Sequence, residues 1–472
     1  MKPSNTGQDT IQDSNVVSHL NNEQPNGIIV KTYRRKPFNL KMLKYSLLRA
    51  LGREVPIEYH PPAQRRDFEY NCLELWHTKG FSVPELRTIP DQMHYGSPAI
   101  GLAPIKGKRL DQFLIDPQVS EQDKLSAIAR IYHEMYRRHC IAIFEQNHRL
   151  IHYDANLRNM IISQGKVVYI DFEMGHLTED IDKSAARELK KFTLQVLNII
   201  DTKRTDQVLD LLAAHYKIRH IVLKLIDEEL QRSFLTIHMK RDLKRKQKNP
   251  RLITKLDIGF RLEQKLELTA TPRSANGQEG DLAKAMETSW DGKFYQSLDD
   301  SDPRGRDMNH RYAVMKAPAS FESCSVLDIG CNIGRICVDA KKRGAARAVG
   351  IDHRQDVVDA MNRHFQQNQI DVRLYAFDIN EGVQSLTSLI GPASFEHVFV
   401  LSIWSHVEKQ PLWDIINTYC SKVCYFEDNS PSRIKSLDKL KSILKENLHF
   451  PKIEFMGFTT DRGVRAVFRL EK

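Results

Sequence analysis

The sequence predicts two separately folded units: a mixed α+β unit in the first half and an α/β unit with a mostly parallel sheet in the second half. Three observations support this prediction. The chain has 472 residues, more than one ordinary domain needs. In the first half, a polar run around Asp154 precedes an apolar hairpin. In the second half, an apolar strand enters a glycine turn at Gly330, and a helix and a second strand follow.

Composition limits the possible classes of protein. Hydrophobic residues make up 41% of the chain, which is enough for buried cores, and the net charge is +10. A basic chain makes acidic partners plausible, such as nucleotides, anionic glycans or lipids, and nucleic acid. The 7 cysteines show no C-x-x-C pair, which favours a reducing compartment over secretion. We find no signal peptide and no apolar run that could span a bilayer, so we expect a cytoplasmic protein.

A short run in the first half predicts phosphoryl-transfer chemistry. His152, Asp154 and Asn159 follow the spacing H-x-D-x-x-x-x-N, and Asp171 comes after the next hairpin. Phosphoryl transfer needs an acceptor hydroxyl in line with the γ-phosphate and cations that absorb charge. Asp154 is the candidate catalytic residue that accepts the proton of the hydroxyl, and Asn159 and Asp171 are candidate Mg²⁺ ligands. Each residue alone is common in ordinary turns, but their order together with the hairpin favours the catalytic interpretation.

A lysine and a glutamate upstream complete the candidate ATP-binding site. Residues 27–33 form a predicted β-branched strand that carries Lys31, and apolar residues at helical spacing predict a helix over residues 65–78 that carries Glu69. The strand resembles the protein-kinase strand whose lysine holds the α- and β-phosphates, and such a lysine needs a carboxylate partner, so we predict an ion pair between Lys31 and Glu69. The alternative is that both side chains are solvated. No G-x-G sequence precedes Lys31, so a glycine-rich phosphate loop is missing.

Residues 27–235 resemble the small atypical kinases of the RIO and lipopolysaccharide-kinase type. The resemblance rests on the run from His152 to Asn159, on Asp171-Phe172 and on the predicted ion pair. It implies an α+β protein-kinase-like domain that uses ATP and Mg²⁺. Glu173 stands where Asp-Phe-Gly has its glycine, and no Ala-Pro-Glu segment follows. Both departures favour a sugar or small-molecule acceptor over a regulated protein kinase.

Two further segments are predicted to lie outside folded domains. Residues 1–26 are rich in Asn, Gln and Ser and are predicted to be a disordered N-terminal tail. Residues 236–285 are predicted to be a basic helical linker, with the domain boundary at residues 271–280. The basic run at residues 239–251 is most simply a solvated face. The alternatives are peripheral contact with the anionic inner face of the membrane and, less favoured because no aromatic residues interleave, binding to nucleic acid.

The second half contains a βαβ unit with a glycine turn. The first strand runs into a turn that contains Gly330 and Gly334, and the second strand ends at Asp352. A glycine turn lets the backbone approach a ligand closely, and an acid at the end of the next strand can bind ribose hydroxyls. The pattern favours a site for a nucleotide-derived ligand over a doubly wound fold that binds nothing.

Residues 286–472 resemble the class I S-adenosylmethionine-dependent methyltransferases. The shared pattern is the loop D-x-G-x-x-x-G, with Asn332 in place of a common middle glycine, and acids at three successive strand ends. The resemblance implies an α/β Rossmann-like domain with a seven-stranded, mostly parallel sheet and S-adenosyl-L-methionine as cofactor. The cofactor-binding residues that it implies are Asp328, Gly330, Asn332, Gly334, Asp352, Asp378 and Leu401.

His406 follows the predicted fourth strand, where the resemblance places the transferred methyl group. It is a candidate catalytic base, although a packing or hydrogen-bonding histidine is equally favoured. Tyr295, Arg311 and Tyr312 precede the first strand and are candidates to cover the cofactor, with a packing role slightly favoured.

Together the two halves predict a bifunctional transferase that phosphorylates and methylates one acceptor, because tethering raises the effective concentration of the intermediate. Some bacterial kinase–methyltransferases cap a surface polysaccharide in this way, with the halves in the opposite order. This resemblance predicts a glycan or lipid-linked glycan acceptor, and a small molecule otherwise. Two alternatives stay open: a protein kinase fused to an independent small-molecule or RNA methyltransferase, and a non-catalytic kinase-like binding module attached to an active methyltransferase.

Overall fold

The computed structural model describes residues 10–12, 15–20, 27–35, 40–90, 97–177, 179–200, 202–225, 295–298, 305–429 and 436–472, with isolated positions between 244 and 262. The chain divides into two units, Met1–Gln264 and Lys265–Lys472. The predicted boundary at residues 271–280 lies outside the described residues, and so do nearly all of the predicted linker and of its basic run at residues 239–251.

An antiparallel five-stranded sheet begins the first unit, with strand order β1-β2-β3-β5-β4. Its strands are β1 (Thr10–Gln12), β2 (Asn15–Leu20), β3 (Ile28–Tyr33), β4 (Leu86–Arg87) and β5 (Ala99–Leu102). The central strand β3 begins with β-branched residues, which favour a strand. It pairs with β2 on one side and β5 on the other, so Lys31 lies between Val17 and Ile100.

The predicted disordered tail differs from the structure, because β1 and β2 both lie within residues 1–26. β2 pairs with β3 from Asn15↔Tyr33 to Leu20↔Ile28. This pairing satisfies backbone groups along one edge of β3, which would otherwise lack partners. The polar composition of residues 1–26 led to the prediction of a disordered tail. Composition does not show that a strand can be stabilised by pairing with the edge of another strand, here β3.

The described part of the first unit includes six α-helices. They are α1 (Leu40–Ala50), α2 (Pro62–Thr78), α3 (Leu110–Ile115), α4 (Glu121–Glu145), α5 (Ile181–Ile199) and α6 (Thr205–His215). The Ser120 side chain caps α4 by accepting from Asp123 N at 3.1 Å. The helix ends at Gln146, whose φ is 51°. One apolar stripe of α4, which includes Ile128, Tyr132 and Met135, is buried.

A small three-stranded sheet contains the predicted hairpin. Its strands are β6 (Lys108–Arg109), β7 (Met160–Ser163) and β8 (Lys166–Tyr169). Gln164 and Gly165 form the turn with φ of 47° and 73°, the left-handed conformations that suit a two-residue hairpin loop. Ile170 N donates to Asn159 O at 3.0 Å. This bond extends the hairpin by one step and brings Asn159 next to the residue that precedes Asp171.

The second unit has a seven-stranded sheet of order β11-β10-β9-β12-β13-β15-β14. β15 runs in the direction opposite to the other six strands, so the predicted mostly parallel Rossmann-like sheet is confirmed. The strands are β9 (Ser325–Ile329), β10 (Arg347–Asp352), β11 (Arg373–Ala376), β12 (Phe395–Leu401), β13 (Cys420–Glu427), β14 (Lys452–Thr459) and β15 (Arg465–Glu471). The helices are α7 (Met308–Met315), α8 (Arg335–Lys342), α9 (Gln355–Gln367), α10 (Gly382–Ile390), α11 (Lys409–Tyr419) and α12 (Leu437–Asn447).

The strand register brings the carboxyl ends of the parallel strands to one edge. Asp352 pairs with Ala376, and Leu401 pairs with Glu427. β9 and β12 are buried along most of their length, as expected for parallel strands covered on both faces. Ligands of such sheets bind at this edge, which is where the predicted cofactor site lies.

Two other sequence-based expectations concern the chain as a whole. Within the described ranges, no helix is both long and apolar enough to cross a membrane. All 7 cysteines are free thiols, and all except Cys324 are buried.

Candidate functional site

Lys31 is the centre of a buried ion-pair network in the first unit. Its Nζ lies 2.8 Å from Glu69 Oε2 and 2.6 Å from Asp171 Oδ1. Tyr33 donates its hydroxyl hydrogen to Glu69 Oε2 at 2.6 Å. Side chains alternate along a strand, so β3 presents Lys31 and Tyr33 on the same face. The predicted contact between Lys31 and Glu69 is therefore present, and its role in ATP binding stays a prediction.

The charge on Lys31 is stabilised by three carboxylates. Burial would lower the pKa of Lys31, but Asp171, Glu69 and Glu173 together outweigh this effect and hold the pKa above its usual value. Burial raises the pKa of Glu69, and Lys31 opposes that rise. Lys31 is therefore cationic at neutral pH in a site largely closed to water, where its attraction to a phosphate is stronger than at the surface.

Asp171 has an unusual backbone conformation. Its φ is 67°, which few residues other than glycine adopt and which aspartate tolerates better than most. The next residue, Phe172, is buried and packs against Trp76 and His152 at ring distances of 4.7 Å and 4.8 Å. This packing holds Asp171 in its strained conformation, and such strain is concentrated at functional sites.

Glu173 accounts for the departure from Asp-Phe-Gly. Its Oε2 accepts a hydrogen bond from Arg65 Nη1 of α2 at 2.9 Å. Arg65 is 1% exposed and also donates to the backbone oxygen of Arg34. The glutamate therefore connects the segment after Asp171 to the helix that carries Glu69, and a glycine could not make this contact.

Asp154 and Asn159 are in direct contact. Asn159 Nδ2 donates to Asp154 Oδ2 at 2.9 Å and to Asp154 O at 3.1 Å. The other carboxylate oxygen of Asp154 contacts Lys191 Nζ. The backbone bond from Ile170 to Asn159 brings Asn159 near the residue that precedes Asp171, and a metal site shared by Asn159 and Asp171 stays a prediction.

The donor atoms in this cluster fit Mg²⁺. The amide nitrogen of Asn159 faces Asp154, so its carbonyl oxygen is the atom available for a cation, and Asp171 offers a carboxylate. Both are hard oxygen ligands. Among the residues that the structure describes, no group of three or more His, Cys, Asp or Glu side chains could hold a metal ion. An ion between Asn159 and Asp171 would therefore complete its shell with phosphate oxygens and water, as Mg²⁺ usually does.

One face of α5 holds the polar run in place, and sequence reasoning missed it. Glu188 Oε2 accepts from His152 N at 2.8 Å, and Lys191 contacts Asp154. Further along, Gln195 bonds Ala155 O and Leu157 N at 3.1 Å and 3.3 Å. The face consists of polar residues at helical spacing: Ser184, Glu188, Lys191 and Gln195. The spacing in the sequence indicates that these polar residues share one face of the helix, but it does not indicate which segment that face contacts.

Glu188 is the buried group on which this face depends. It lies 2.9 Å from Arg138 Nη1 and 3.0 Å from His139 Nε2. Burial would raise the pKa of Glu188, but Arg138 and His139 outweigh burial and hold the pKa well below its usual range. His152 is also buried, which lowers its pKa, and its Nε2 hydrogen-bonds Ile170 O at 3.0 Å. Glu188 and His152 thus connect the polar run to the helices and to the segment before Asp171.

In the second unit, the glycine turn has the geometry that its sequence requires. Gly330, Asn332 and Gly334 have φ of 77°, 54° and 76°. A Cβ at Gly330 would lie 2.2 Å from Ile403 Cγ2, so both the conformation and the close approach of the segment after β12 exclude a side chain. Asn332 N donates to Asp352 Oδ2 at 2.8 Å, which joins the turn to the end of β10.

The other predicted cofactor residues lie along the same sheet edge. Asp352 is 9% exposed, and its Oδ1 accepts from Arg354 N at 3.1 Å. A carboxylate has about four acceptor positions, so ribose hydroxyls can still bind it. Asp378 is exposed just after β11, and Leu401 ends β12. His406 is exposed in a 3-10 turn beyond β12, and its role as a base stays a prediction.

Asp328 is a buried acid with an altered pKa. Burial raises its pKa to about 7, the nearby Asp352 adds to the rise, and Arg311 opposes it. The carboxyl group is 3% exposed on β9, directly before the glycine turn. It therefore changes its charge near neutral pH, which is a property of functional sites more often than of structural acids.

A buried network at the ends of β12 and β13 was only partly predicted. Glu427 is 1% exposed and lies 2.8 Å from Arg311 and 3.3 Å from Arg306. Thr459 donates to it at 2.6 Å, and Ser402 also donates to it. Burial would raise the pKa of Glu427, but the arginines hold it well below its usual range.

The upstream candidates divide between this network and the core. The Tyr295 hydroxyl accepts from Arg306 Nη1 at 2.5 Å, so Tyr295 and Arg311 belong to the network. Tyr312 donates instead to Asp339 at 3.0 Å and packs in the hydrophobic core. Sequence reasoning missed Arg306, because an arginine outside any motif gives no sign of a buried partner far along the chain.

Comparison with known proteins places a methyltransferase domain in the second unit. Residues 326–422 match the family model described as a methyltransferase domain. An uncharacterized protein of Methanocaldococcus jannaschii is 36% identical over 61 residues, which are 13% of this chain and 28% of that protein. Ribosomal protein L11 methyltransferase of Thermotoga maritima is 30% identical over 69 residues, 15% of this chain and 26% of that protein. The chain thus spans about a quarter of the length of these relatives.

Among solved structures, the chain is similar to the bifunctional kinase-methyltransferase WbdD. The likeness has a TM-score of 0.28 and 16% identity and covers 39% of this chain and 42% of that one. At this TM-score the likeness does not bear on activity.

Replacing Glu188 tests whether this carboxylate stabilises the first unit. We expect Glu188→Gln to lower the free energy of unfolding by about 3–5 kcal/mol at neutral pH, because Arg138 loses its buried partner. The folded-state pKa of Glu188 lies below the unfolded value of about 4.3. Its contribution is therefore present above about pH 4.3 and is lost as the pH falls below that value. Urea unfolding at about pH 7 and about pH 3 measures both effects.

The control is Glu74→Gln, an exposed glutamate of α2, which should change stability by no more than about 0.5 kcal/mol at either pH. The difference between wild type and Glu188→Gln should shrink on acidification. If Glu188→Gln behaves like the control at neutral pH, the assignment of Glu188 is wrong.

Proposed function

We propose that this chain is a bifunctional transferase in which the first unit transfers phosphate from ATP and the second transfers methyl from S-adenosyl-L-methionine. The observation that most supports the first activity is the contact of Lys31 with both Glu69 and Asp171, in the same unit as the pair Asp154 and Asn159. The match of residues 326–422 to a methyltransferase domain supports the second.

In the proposed phosphate transfer, each polar group of the first unit has one task. Lys31, held by Glu69, binds phosphate oxygens of ATP. Asp154 accepts the proton of the acceptor hydroxyl as its oxygen bonds the γ-phosphorus, and ADP leaves with the electron pair of the broken bond. Asn159 and Asp171 would hold Mg²⁺, which neutralises charge on the phosphates when it is bound.

In the proposed methyl transfer, the sheet edge of the second unit binds the methyl donor. The turn at Gly330 and Gly334 gives the ligand access to the backbone, and Asp352 accepts from ribose hydroxyls. Asp378, whose side chain caps the turn after β11, would contact the adenine. Asp328, ionised above about pH 7, would attract the positive charge of the ligand. His406 would take a proton from the acceptor if the acceptor atom carries one.

The proposed acceptor is a glycan or lipid-linked glycan. Two transferases on one chain can act in sequence on one molecule. Glu173 connects the segment after Asp171 to α2, an arrangement without a glycine hinge that suits a small acceptor better than a regulated protein substrate. The chain is basic, with a net charge of +10, which agrees with peripheral contact to an anionic membrane that presents such lipids.

A non-catalytic first unit is the second candidate, and one observation favours it. The sequence over β1 (Thr10–Gln12) and β2 (Asn15–Leu20) contains no glycine, so the strands before β3 carry no glycine-rich phosphate loop. A unit that binds an acceptor without transferring phosphate would also tolerate the direct contact between Lys31 and Asp171.

Calorimetry with each donor separates these possibilities. Wild type should bind both Mg·ATP and S-adenosylmethionine. Asp171→Ala should lose Mg·ATP binding and keep S-adenosylmethionine binding. Asp352→Ala should weaken S-adenosylmethionine binding by about 10–100-fold, the effect of one hydrogen bond to a charged group, and keep Mg·ATP binding. Because each variant should keep its binding of the other donor, that binding shows that the variant is folded. Failure of wild type to bind Mg·ATP would establish the non-catalytic candidate.

The pH dependence of methyl-donor binding tests Asp328. Because its pKa is about 7, the ionised fraction rises between about pH 6 and pH 7.5, and affinity for S-adenosylmethionine should rise by somewhat less than tenfold. Asp328→Asn should remove this dependence in calorimetry. A dependence that survives in Asp328→Asn would assign the titration to another group, such as His353, whose hydrogen bond to Asp352 raises its pKa.

The acceptor proposal is tested by order of addition. The protein is incubated with lipid-linked oligosaccharide and labelled S-adenosylmethionine, with and without Mg·ATP. Label should enter the glycolipid only when Mg·ATP is present, and Asp154→Ala should abolish it. Transfer of label without Mg·ATP would mean that the two activities are independent. Absence of label in the glycolipid both with and without Mg·ATP would exclude this acceptor.

A further inference from the structure

A cavity of ≈ 270 Å³ lies in the first unit beside the polar run. Its wall includes Tyr153, Met174 and Lys191. Tyr153 directly precedes Asp154, and Met174 lies on the segment after Asp171. The cavity is therefore bordered by the two chain segments that carry the proposed base and the proposed metal ligand.

Lys191 belongs both to the cavity wall and to the surroundings of Asp154. Its Nζ contacts Asp154 Oδ1, while Asn159 donates to Oδ2 at 2.9 Å. The carboxylate is thus held by a donor on each oxygen. The side chains of Lys191 and Asp154 are 39% and 23% exposed, and an ion pair this exposed contributes little to folding stability. Its effect is to fix the direction of the carboxylate.

The run after Asp154 supplies no cation for this purpose. Residues 155–157 are uncharged, and Arg158 is directed elsewhere, with its Nε 3.5 Å from Asp111 Oδ2. The cation at Asp154 comes instead from α5, whose face also binds His152 and Ala155. Lys191 is therefore placed by the same helix that shapes the whole run.

We propose that this cavity binds the acceptor as one neutral sugar ring, and that Lys191 is the positioning residue that turns Asp154 towards its hydroxyl. The inference rests on the proposed phosphate transfer. Lys191 and Arg187 are donors in the wall and Glu58 is an acceptor, a mixture that suits hydroxyl groups, which both donate and accept. The volume of the cavity is slightly below the lower limit of ordinary ligand pockets, about 300 Å³. The cavity can therefore hold one sugar ring and not an extended chain.

In this arrangement the hydroxyl of the bound ring faces Asp154 Oδ. The proton of the hydroxyl passes to Asp154, the hydroxyl oxygen forms a bond to the γ-phosphorus of ATP, and the bond from that phosphorus to the bridging oxygen breaks, so ADP leaves with the electron pair of the broken bond. Lys191 touches none of the reacting atoms and acts by holding Asp154 in place.

Steady-state phosphate transfer to lipid-linked oligosaccharide tests the role of Lys191. Lys191→Met should lower kcat by about 100-fold, the lower end of the range for a positioned base, with KM for Mg·ATP unchanged. Lys191→Arg should restore part of the loss, because a guanidinium can still pair with Asp154. Lys183→Met removes the same charge from the first turn of α5 and should transfer phosphate like wild type. The urea midpoints of all four proteins should agree.

A variant that fills the cavity tests the acceptor site itself. Met174→Trp should lose transfer to the oligosaccharide while still binding Mg·ATP in calorimetry, which also shows that the variant is folded. If Lys191→Met has the kcat of wild type, the positioning role of Lys191 is wrong. If Met174→Trp transfers phosphate to the oligosaccharide as well as wild type does, the cavity is not the acceptor site. Absence of any transfer by wild type overturns the proposed function itself, and the inference with it.

Discussion

A buried carboxylate paired with arginine holds each candidate site in shape. In the first unit Glu188 binds Arg138, His139 and the backbone of His152. In the second, Glu427 binds Arg306, Arg311 and the side chain of Ser402. A buried ion pair adds little net stability, but removing one partner leaves an uncompensated charge. Each pair therefore constrains the geometry of its site. The loop beside the pair can adopt only an arrangement in which the buried carboxylate and the arginine keep their partners.

Local patterns in the sequence predicted the parts of the sites that neighbouring residues determine. The hairpin from Met160 to Tyr169 follows from two apolar runs around a Gln-Gly turn, and it brings Asn159 towards Asp171. The parallel strands of the second unit follow from apolar runs that end in acids, and the register brings those ends to one edge. The contact of Lys31 with Glu69 needed one long-range assumption, that strand and helix pack together, and the structure contains it.

What the sequence did not predict depends on contacts between distant segments. The strands at residues 10–12 and 15–20 have polar surroundings in the sequence. The second pairs with β3 and the first pairs with the second, and this pairing stabilises both. The α5 face has an ordinary amphipathic pattern, which does not show that Lys191 would meet Asp154. Arg306 and Asp461 lie in no motif, although they are 2.5 Å apart. In each case the partner is far along the chain, and a single sequence does not indicate which distant segments meet.

In the proposed phosphate transfer, the contact between Lys31 and Asp171 has a consequence for the form of ATP that binds. Without ligand, the ammonium group and the carboxylate neutralise one another at 2.6 Å. Under the proposed phosphate transfer, a triphosphate without a divalent ion would pair with the ammonium group and leave the Asp171 carboxylate facing the negative charge of the phosphates, which is unfavourable in a site closed to water. The magnesium complex of ATP would bring a replacement partner for each half of the original pair. The proposed site would therefore bind Mg·ATP in preference to free ATP.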